Sequence, residues 1–300
     1  MKKSTSLVAC CSFLILASGM LPLSAQEISF AALKGKGGAA SVSSGVLVDD
    51  QGTLATVVEI GSDASSATLS LGGDDKTPHK LKLIARDADS RVALFEVPVA
   101  ARAGLKKSTL GSSTELVAGG KLFASNAGAD QKNTARYSSR VNRFQGKVLP
   151  LAVLRVNHGK AAPRPGTGIY NTDGNLVGLV RQAVYNAPHS SYCLPVEVIS
   201  RIKQDHQRNK RVRRCWVGLI MDELVATPII ESIRPDSPAD KAGLKKGDTI
   251  ISIGKFSVGE YSEVVDAFFY LIAGQPTKFK VLRGTEVMTF EVSPEVKPGS

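Results

Sequence analysis

Residues 233–253, IRPDSPADKAGLKKGDTIISI, constrain the fold more tightly than any other stretch. Ser237 is placed to cap a helix whose first turn takes Pro238, where a missing N–H costs little. Gly243 permits a left-handed ending and Leu244 packs behind it. Gly247-Asp248 then turns the chain into an apolar strand at 249–253. Start, stop and turn signals this close together specify a short helix feeding a strand. The flanking sequence continues in kind. Apolar runs at 216–220, 229–233, 278–282 and 287–292 read as strands. A longer helix at 261–273 is closed by Gly274 and Pro276. Residues 215–297 therefore form an α+β domain.

Upstream the period is different. From 26 to about 195 the chain is a series of short strands separated by turns: 44–48, 53–60, 67–71, 81–85, 92–97, 121–124, 149–156, 168–170 and 176–184. Asp49-Asp50-Gln51-Gly52 is a turn, and Asp173-Gly174 is a hairpin signal. Many short strands at near-regular spacing argue a β-barrel or sandwich. Helical spacing returns at Val198, Ile199 and Ile202. Residues 201–214 follow as a basic helix end and linker, with Arg201, Lys203, Arg208, Lys210, Arg211, Arg213 and Arg214 opposed only by Asp205.

The start of the chain is of another type. Lys2 and Lys3 precede an apolar stretch at 7–23, and small residues stand before Gln26. Residues 1–25 read as a secretory signal peptide. The stretch is interrupted by Ser12, Ser18, Gly19 and Pro22 and is short for a membrane span. Leu7-Val8-Ala9-Cys10 mimics a lipoprotein box, but almost no apolar stretch precedes it. The mature chain is expected outside the cytoplasm, periplasmic or extracellular, with no stable span. A hydrophobic fraction of 43% supports packed cores and excludes disorder as the main state. Of the four cysteines, Cys193 and Cys215 lie beyond the leader; they are either a disulfide or two buried thiols, and sequence does not place their Cα atoms. His79, His158, His189 and His206 are scattered, so neither a metal site nor a cofactor is expected.

The run 233–253 resembles the SPAxxAGLxxGDxIxxI signature of bacterial PDZ domains. Such domains bind an extended peptide as an added strand and hold its C-terminus in a backbone nest. The resemblance implies that partners are protein or peptide C-termini. It places the nest at Trp216, Val217, Gly218, Leu219 and Ile220, with the helix 261–273 flanking the groove. Val264, Val265, Phe268, Phe269 and Leu271 are that helix's apolar residues. Some must face the core, which leaves Val264 or Val265, together with Phe268, for the groove.

The domain order then resembles that of HtrA/Deg-type serine proteases, a trypsin-like double β-barrel followed by a PDZ domain. Four segments carry the likeness: SGVLVD from Ser44, DADSRVALFEV from Asp87, GTGIYNTDGNLVG from Gly166, and YCLP from Tyr192. The implied fold is mainly β, with a protease-like domain at 41–200 after an N-terminal segment at 26–40, a basic linker at 201–214 and the PDZ domain at 215–297. The family's catalytic residue types do not carry over. The histidine position reads Glu59, the aspartate position Arg91, and the serine position Pro165. Acyl transfer needs a nucleophile, a base and a group orienting the base. The oxyanion donors would be backbone N–H groups at 163 and 165, and both are prolines, which have none. A shift of register by two residues would bring Thr167 to the nucleophile position, still without a base. His158 with Ser190 or Ser191 is a conceivable unrelated pair. Glu59 and Arg91 either pair or are solvated separately.

The function implied is a non-catalytic, exported peptide-binding protein of HtrA type. An active serine endopeptidase in envelope protein quality control is the alternative. Binding of an anionic surface through 201–214 is a second alternative, although no aromatic residue interleaves that cluster and nucleic acid is not expected. Family members assemble through N-terminal segments; residues 26–40 are short and Gly-rich, so a homo-oligomer stays open.

Overall fold

The computed structural model describes residues 28–31, 33–34, 40–41, 43–58, 67–71, 78–102, 105–125 and 133–296, with backbone alone for 28–41 and 71. The leader expected at 1–25, Cys10 and Glu59 lie outside the described residues.

The N-terminal body is antiparallel. It comprises β1 (Ile28–Ala31), β2 (Leu33–Lys34), β3 (Ala40–Ser41), β4 (Gly45–Leu47), β5 (Thr53–Val57), β6 (Thr68–Leu71), β7 (His79–Lys80), β8 (Lys82–Arg86) and β9 (Val92–Glu96). Sheets run β4-β5-β9-β8 and β1-β6-β7, with β2 paired to β3. Leu54, Leu69, Leu81 and Phe95 fill the space between the two larger sheets. Each such side chain contributes about 1.5–3 kcal/mol by leaving water. The turn after β4 is an Asx turn: Asp49 Oδ1 accepts from the N–H groups of Gln51 and Thr53 at 3.0 and 2.9 Å.

The second body is a closed barrel of β10 (Lys121–Ser125), β11 (Asn133–Phe144), β12 (Lys147–His158), β13 (Gly168–Tyr170), β14 (Leu176–Val184) and β15 (Ala187–Pro195). They are arranged in the order β10-β11-β12-β15-β14-β13. Strand alternation divides its apolar residues. Leu122, Leu154, Val156, Ile169, Val180 and Cys193 point inward. Leu151, Val153, Leu179 and Leu194 point outward and meet Val46, Ala55, Val57 and Leu94 in a seam between the two bodies. Helix α1 (Glu197–Asn209) seats Val198, Ile199 and Ile202 in the same seam.

The third body holds β16 (Cys215–Trp216), β17 (Leu219–Met221), β18 (Ile230–Ile233), α2 (Pro238–Lys241), β19 (Thr249–Ile253), β20 (Phe256–Ser257), α3 (Tyr261–Phe269), β21 (Thr277–Arg283), β22 (Glu286–Val292) and β23 (Glu295–Val296). A sheet β20-β19-β21-β22 and the pairs β17-β18 and β16-β23 enclose Val217, Ile230, Leu244, Ile250, Phe279 and Val281. The capping expected at 237 is present: Ser237 Oγ accepts from the Asp240 N–H at 3.3 Å.

Three expectations are corrected. The basic run is an exposed helix end and linker only in part, because α1 continues to Asn209 and its inward face is buried. Arg201 is buried against Asp87 and Asp205 at 3.4 and 3.5 Å, Lys203 meets Asp49 at 2.7 Å, and Arg214 meets Asp89 at 2.6 Å. Three of the seven basic side chains are thus spent on internal carboxylates, while Arg208, Lys210 and Arg211 stay exposed, and the stretch outside the helix shrinks to 210–214. The strand expected at 216–220 is interrupted at Gly218, which takes φ +86°. The helix expected to reach 273 ends at Phe269, with Tyr270 as its C-cap. Both described cysteines are free; burial pushes the Cys193 thiol up to about 12 and that of Cys215 up to about 11, which makes them inert.

Candidate functional site

Two regions matter: the place beside the seam where the loop before β13 meets the N-terminal body, here the cleft, and in the third body the edge of β17 with the outer face of α3, here the groove. In the cleft, the loop before β13 packs backbone to backbone on the N-terminal body. Pro165 O accepts from the Ser44 N–H at 2.7 Å. Gly166 takes φ +82°, and a Cβ there would stand 1.9 Å from Ser44 O and 2.9 Å from Thr56 Oγ1, so only glycine fits. Thr56 is fixed in turn: its hydroxyl donates to Ser44 O at 2.6 Å. Gly166 N–H donates to Val180 O at 2.7 Å, which ties the loop to β14. Pro163 is buried and Pro165 half-buried, and neither offers an N–H to the cleft.

Two residues further along β14, Gln182 Oε1 accepts from Arg91 Nη2 at 2.8 Å, so Arg91 reaches across from the N-terminal body. Arg91 sits at φ +66°, in the left-handed region, and its C=O accepts from the Val58 N–H at 2.8 Å. The structure thus brings Arg91 and the loop of Pro163 and Pro165 to one strand. Thr167 is 1% exposed and its hydroxyl is buried without a partner, which keeps it from an incoming substrate.

A hydroxyl–imidazole pair does exist. His158 Nε2 and Ser191 Oγ are 2.7 Å apart, and Ser191 Oγ is 3.2 Å from Cys193 Sγ. Ser190 does not join them; its hydroxyl donates to Asn157 Oδ1 at 2.7 Å. The pair lies at the end of the barrel, with Ser191 wholly buried and His158 nearly so. Burial pulls the imidazole down to about 4, and its Nδ1 is buried without a partner. A neutral imidazole can take a proton, but among the described residues no carboxylate orients this one, and its serine is fully buried.

In the third body, α3 divides into three faces. Val264 and Ala267 point into the core beside Phe279. Ser262, Asp266 and Phe269 are buried toward the second body. Asp266 Oδ2 accepts from Arg140 Nη2 at 2.7 Å and Oδ1 from the Ala152 N–H at 2.9 Å. Asn142 Nδ2 donates to Ser262 Oγ at 2.8 Å. Phe269 lies between the guanidinium groups of Arg201 and Arg214, 5.1 and 4.7 Å from their carbons. The remaining face carries Tyr261, Val265 and Phe268, all half-buried. Val264, one of the two residues expected in the groove, therefore belongs to the core instead, because at 0% exposure it is sealed from any ligand.

Among the described residues β17 pairs only with β18, which leaves its second edge unpaired. Ile220 is exposed there, Leu219 and Trp216 are half-buried, and Val217 is in the core. A Cβ on Gly218 would lie 2.2 Å from Ser237 Cβ, so the loop's close approach to α2 requires glycine. Tyr261 was not among the residues expected here; its position four before Val265 was the available signal.

Comparison with known proteins matches these regions to described families. Residues 206–293 match the PDZ domain family. A periplasmic serine endoprotease described as DegP-like, from Halomonas elongata, is 24% identical over 263 residues, covering 82% of this chain and 54% of the relative. A DegP-like counterpart from Ectopseudomonas mendocina is 27% identical over 232 residues, with coverages of 72% and 48%. The chain spans about half the length of these relatives. Among solved structures, the HtrA-type protease AlgW with tripeptide superposes with a TM-score of 0.61 at 19% identity, covering 93% of this chain and 96% of that one. A serine endoprotease from Yersinia pestis gives 0.56 at 16% identity, with coverages of 91% and 95%. At these identities the structural likeness is one of fold.

Proposed function

We propose, from the premise that this chain is a PDZ-bearing relative of the HtrA/DegP-type serine proteases, that it is an exported protein which binds peptide C-termini without cleaving them. The observation that carries this is the cleft loop. Where acyl transfer needs an attacking oxygen and a pair of N–H donors, Pro163 and Pro165 supply neither, and the loop is locked by Ser44 and Val180. Loss of a single oxyanion donor costs about 10²–10³ in rate. Arg91 stands at the position of the group that would orient a base, with the wrong charge for that task, and Glu59 is the residue at the base position. The third body supports the binding half of the reading: among the described residues β17 has an unpaired edge, and Val265, Phe268 and Tyr261 of α3 offer half-buried apolar surface. The relatives' periplasmic naming and the leader-like residues 1–25 support export, and among the described residues no helix is long and apolar enough to cross a membrane.

The test uses the full chain and peptides ending in an apolar residue. Binding to the free carboxylate, lost on C-terminal amidation, is expected. Val265→Asp should weaken it tenfold or more, about what one buried apolar contact and one repulsive charge remove. Gly218 is a poor site for this test, since any side chain there collides with Ser237 whether or not a peptide binds.

The second reading, an active endopeptidase, has the relatives' names and the His158–Ser191 pair on its side. A fluorophosphonate probe separates the two. No labelling is expected; labelling abolished by Ser191→Ala would establish the pair as catalytic and end the binding-only reading.

A further inference from the structure

The outer face of the barrel carries two arginines whose charge the rest of the described molecule leaves unanswered. Arg155 follows Leu151 and Val153 along β12 at the two-residue period of a strand, so it shares their face, the one turned toward the seam. Tyr192 stands opposite it on β15 and packs against the seam cluster. Opposite Tyr192 on β14 stands Gln182, preceded by Arg181 in a bulge. Arg155 and Gln182 are thus two strand spacings apart, about 10 Å, with Tyr192 between them. Arg91 reaches the same place from the N-terminal body and donates to Gln182 at 2.8 Å. Among the described residues the side chains of Arg155 and Arg181 form no hydrogen bond or ion pair, and the Nε–H of each is buried with no acceptor. A buried donor without an acceptor is costly, and more so on a charged group. Burial, and next the charge of Arg91, push the Arg181 guanidinium below its ordinary value, while Asp89 pulls the other way. That carboxylate is shared with Arg214, which it meets at 2.6 Å. The surplus here is positive and exceeds one unit. A carboxylate brings one charge and two oxygens in a plane. A phosphoryl group brings nearly two charges and three oxygens directed apart, which suits guanidinium forks arriving from two sides.

We propose that Arg155 and Arg181, reinforced by the charge of Arg91, bind a phosphoryl group over Tyr192, either as free phosphate or as the phosphate monoester of a larger molecule. The site uses side chains on the face of β12, β15 and β14 and no backbone edge. It stands whether or not the third body binds peptide termini.

The probes are inorganic phosphate and phenyl phosphate, titrated by calorimetry into the full chain near neutral pH, with ionic strength held constant by chloride. Saturable binding is expected. Arg155→Gln and Arg181→Gln should each weaken it roughly tenfold or more, the worth of a charge-assisted hydrogen bond. Lys246→Gln, the same change of charge at an exposed lysine of the third body, should leave it unchanged. In chloride alone, Arg181→Gln is expected to keep or raise the thermal midpoint, because it removes a cation beside Arg91. Phosphate should raise the midpoint of the parent and not of this variant. No saturable binding of either probe, an equal loss in Lys246→Gln, or an affinity indifferent to both arginine variants overturns the proposal. A midpoint of Arg181→Gln that drops in chloride also overturns it, since the arginine would then be holding the fold rather than a ligand. Binding of phenyl phosphate supports the site and assigns it to a phosphoryl group on a larger molecule; binding of inorganic phosphate alone supports it and assigns the free ion.

Discussion

His158 shows how a single buried side chain sets the behaviour of a barrel in acid. Its imidazole titrates near the ordinary value in the unfolded chain and at about 4 in the folded one, because burial disfavours the cation. Between those values the unfolded chain takes up the extra proton. Stability is thus complete above the unfolded value of about 6.5 and falls as pH drops toward 4, by about 3 kcal/mol at the limit. Urea unfolding followed from about pH 7 to about pH 4 should show this acid loss, and His158→Gln should flatten it. A slope that persists in the variant would assign the loss to carboxylates instead. Arg201 is the converse case. Sequence reads it as one cation in a solvated run, yet it is buried between Asp87, Asp205 and the Arg213 carbonyl, 2.5 Å from its Nη2. A charge inside a basic run carries no mark of burial when its partner Asp87 is over a hundred positions away.

At the scale of elements, the docking of α3 on the β11–β12 hairpin rests on Asp266. Asp266→Ala strands Arg140 partly buried and removes the acceptor of the Ala152 N–H, a loss of about 3 kcal/mol in docking. Limited trypsin digestion should then cut at Lys210 and Arg211 faster than in the parent, while peptide affinity in the groove stays the same, because Val265 and Phe268 lie on another face. Unchanged digestion would mean that the apolar contacts of Phe269 suffice to hold the helix. Most strands were legible in the sequence from β-branched runs and turn residues, as for β5, β9, β14 and β19. The long strand β11 was not. Its alternation is clear only at Asn133, Ala135 and Tyr137, buried in turn, and dissolves where the hairpin leaves the barrel and Ser139, Arg140 and Asn142 face α3 or solvent. Polar residues that a neighbouring body will cover look the same as polar residues left in water. On α3, helical periodicity located an apolar stripe but did not say which edge of it, Val264 or Val265, turns outward. That is decided by the tertiary placement of Phe279 and Val281.

For the whole molecule, the seam is where the three bodies meet. Phe269 of the third body is 1% exposed within the cluster built by Val46, Leu94, Leu179 and Ile202. A core shared in this way couples the unfolding of its contributors. Scanning calorimetry of the full chain is expected to show one transition, and Phe269→Ala, which also frees two guanidinium groups from the ring, should split it into two. A parent already showing two transitions would mean that the shared contact is too small to couple them. The formal charge of +11 does not translate into a cationic surface of the same size, since Arg140, Arg201, Lys203, Arg214 and Arg283 each meet a carboxylate at 3.5 Å or less. The three-faced helix has a further consequence for how such a chain can vary. With nine residues and three sets of neighbours, α3 has almost no idle positions. A single inserted residue would turn everything after it by about 100°. Groove, core and docking side would come out of register together, so this helix tolerates exchange of side chains far better than any change of length.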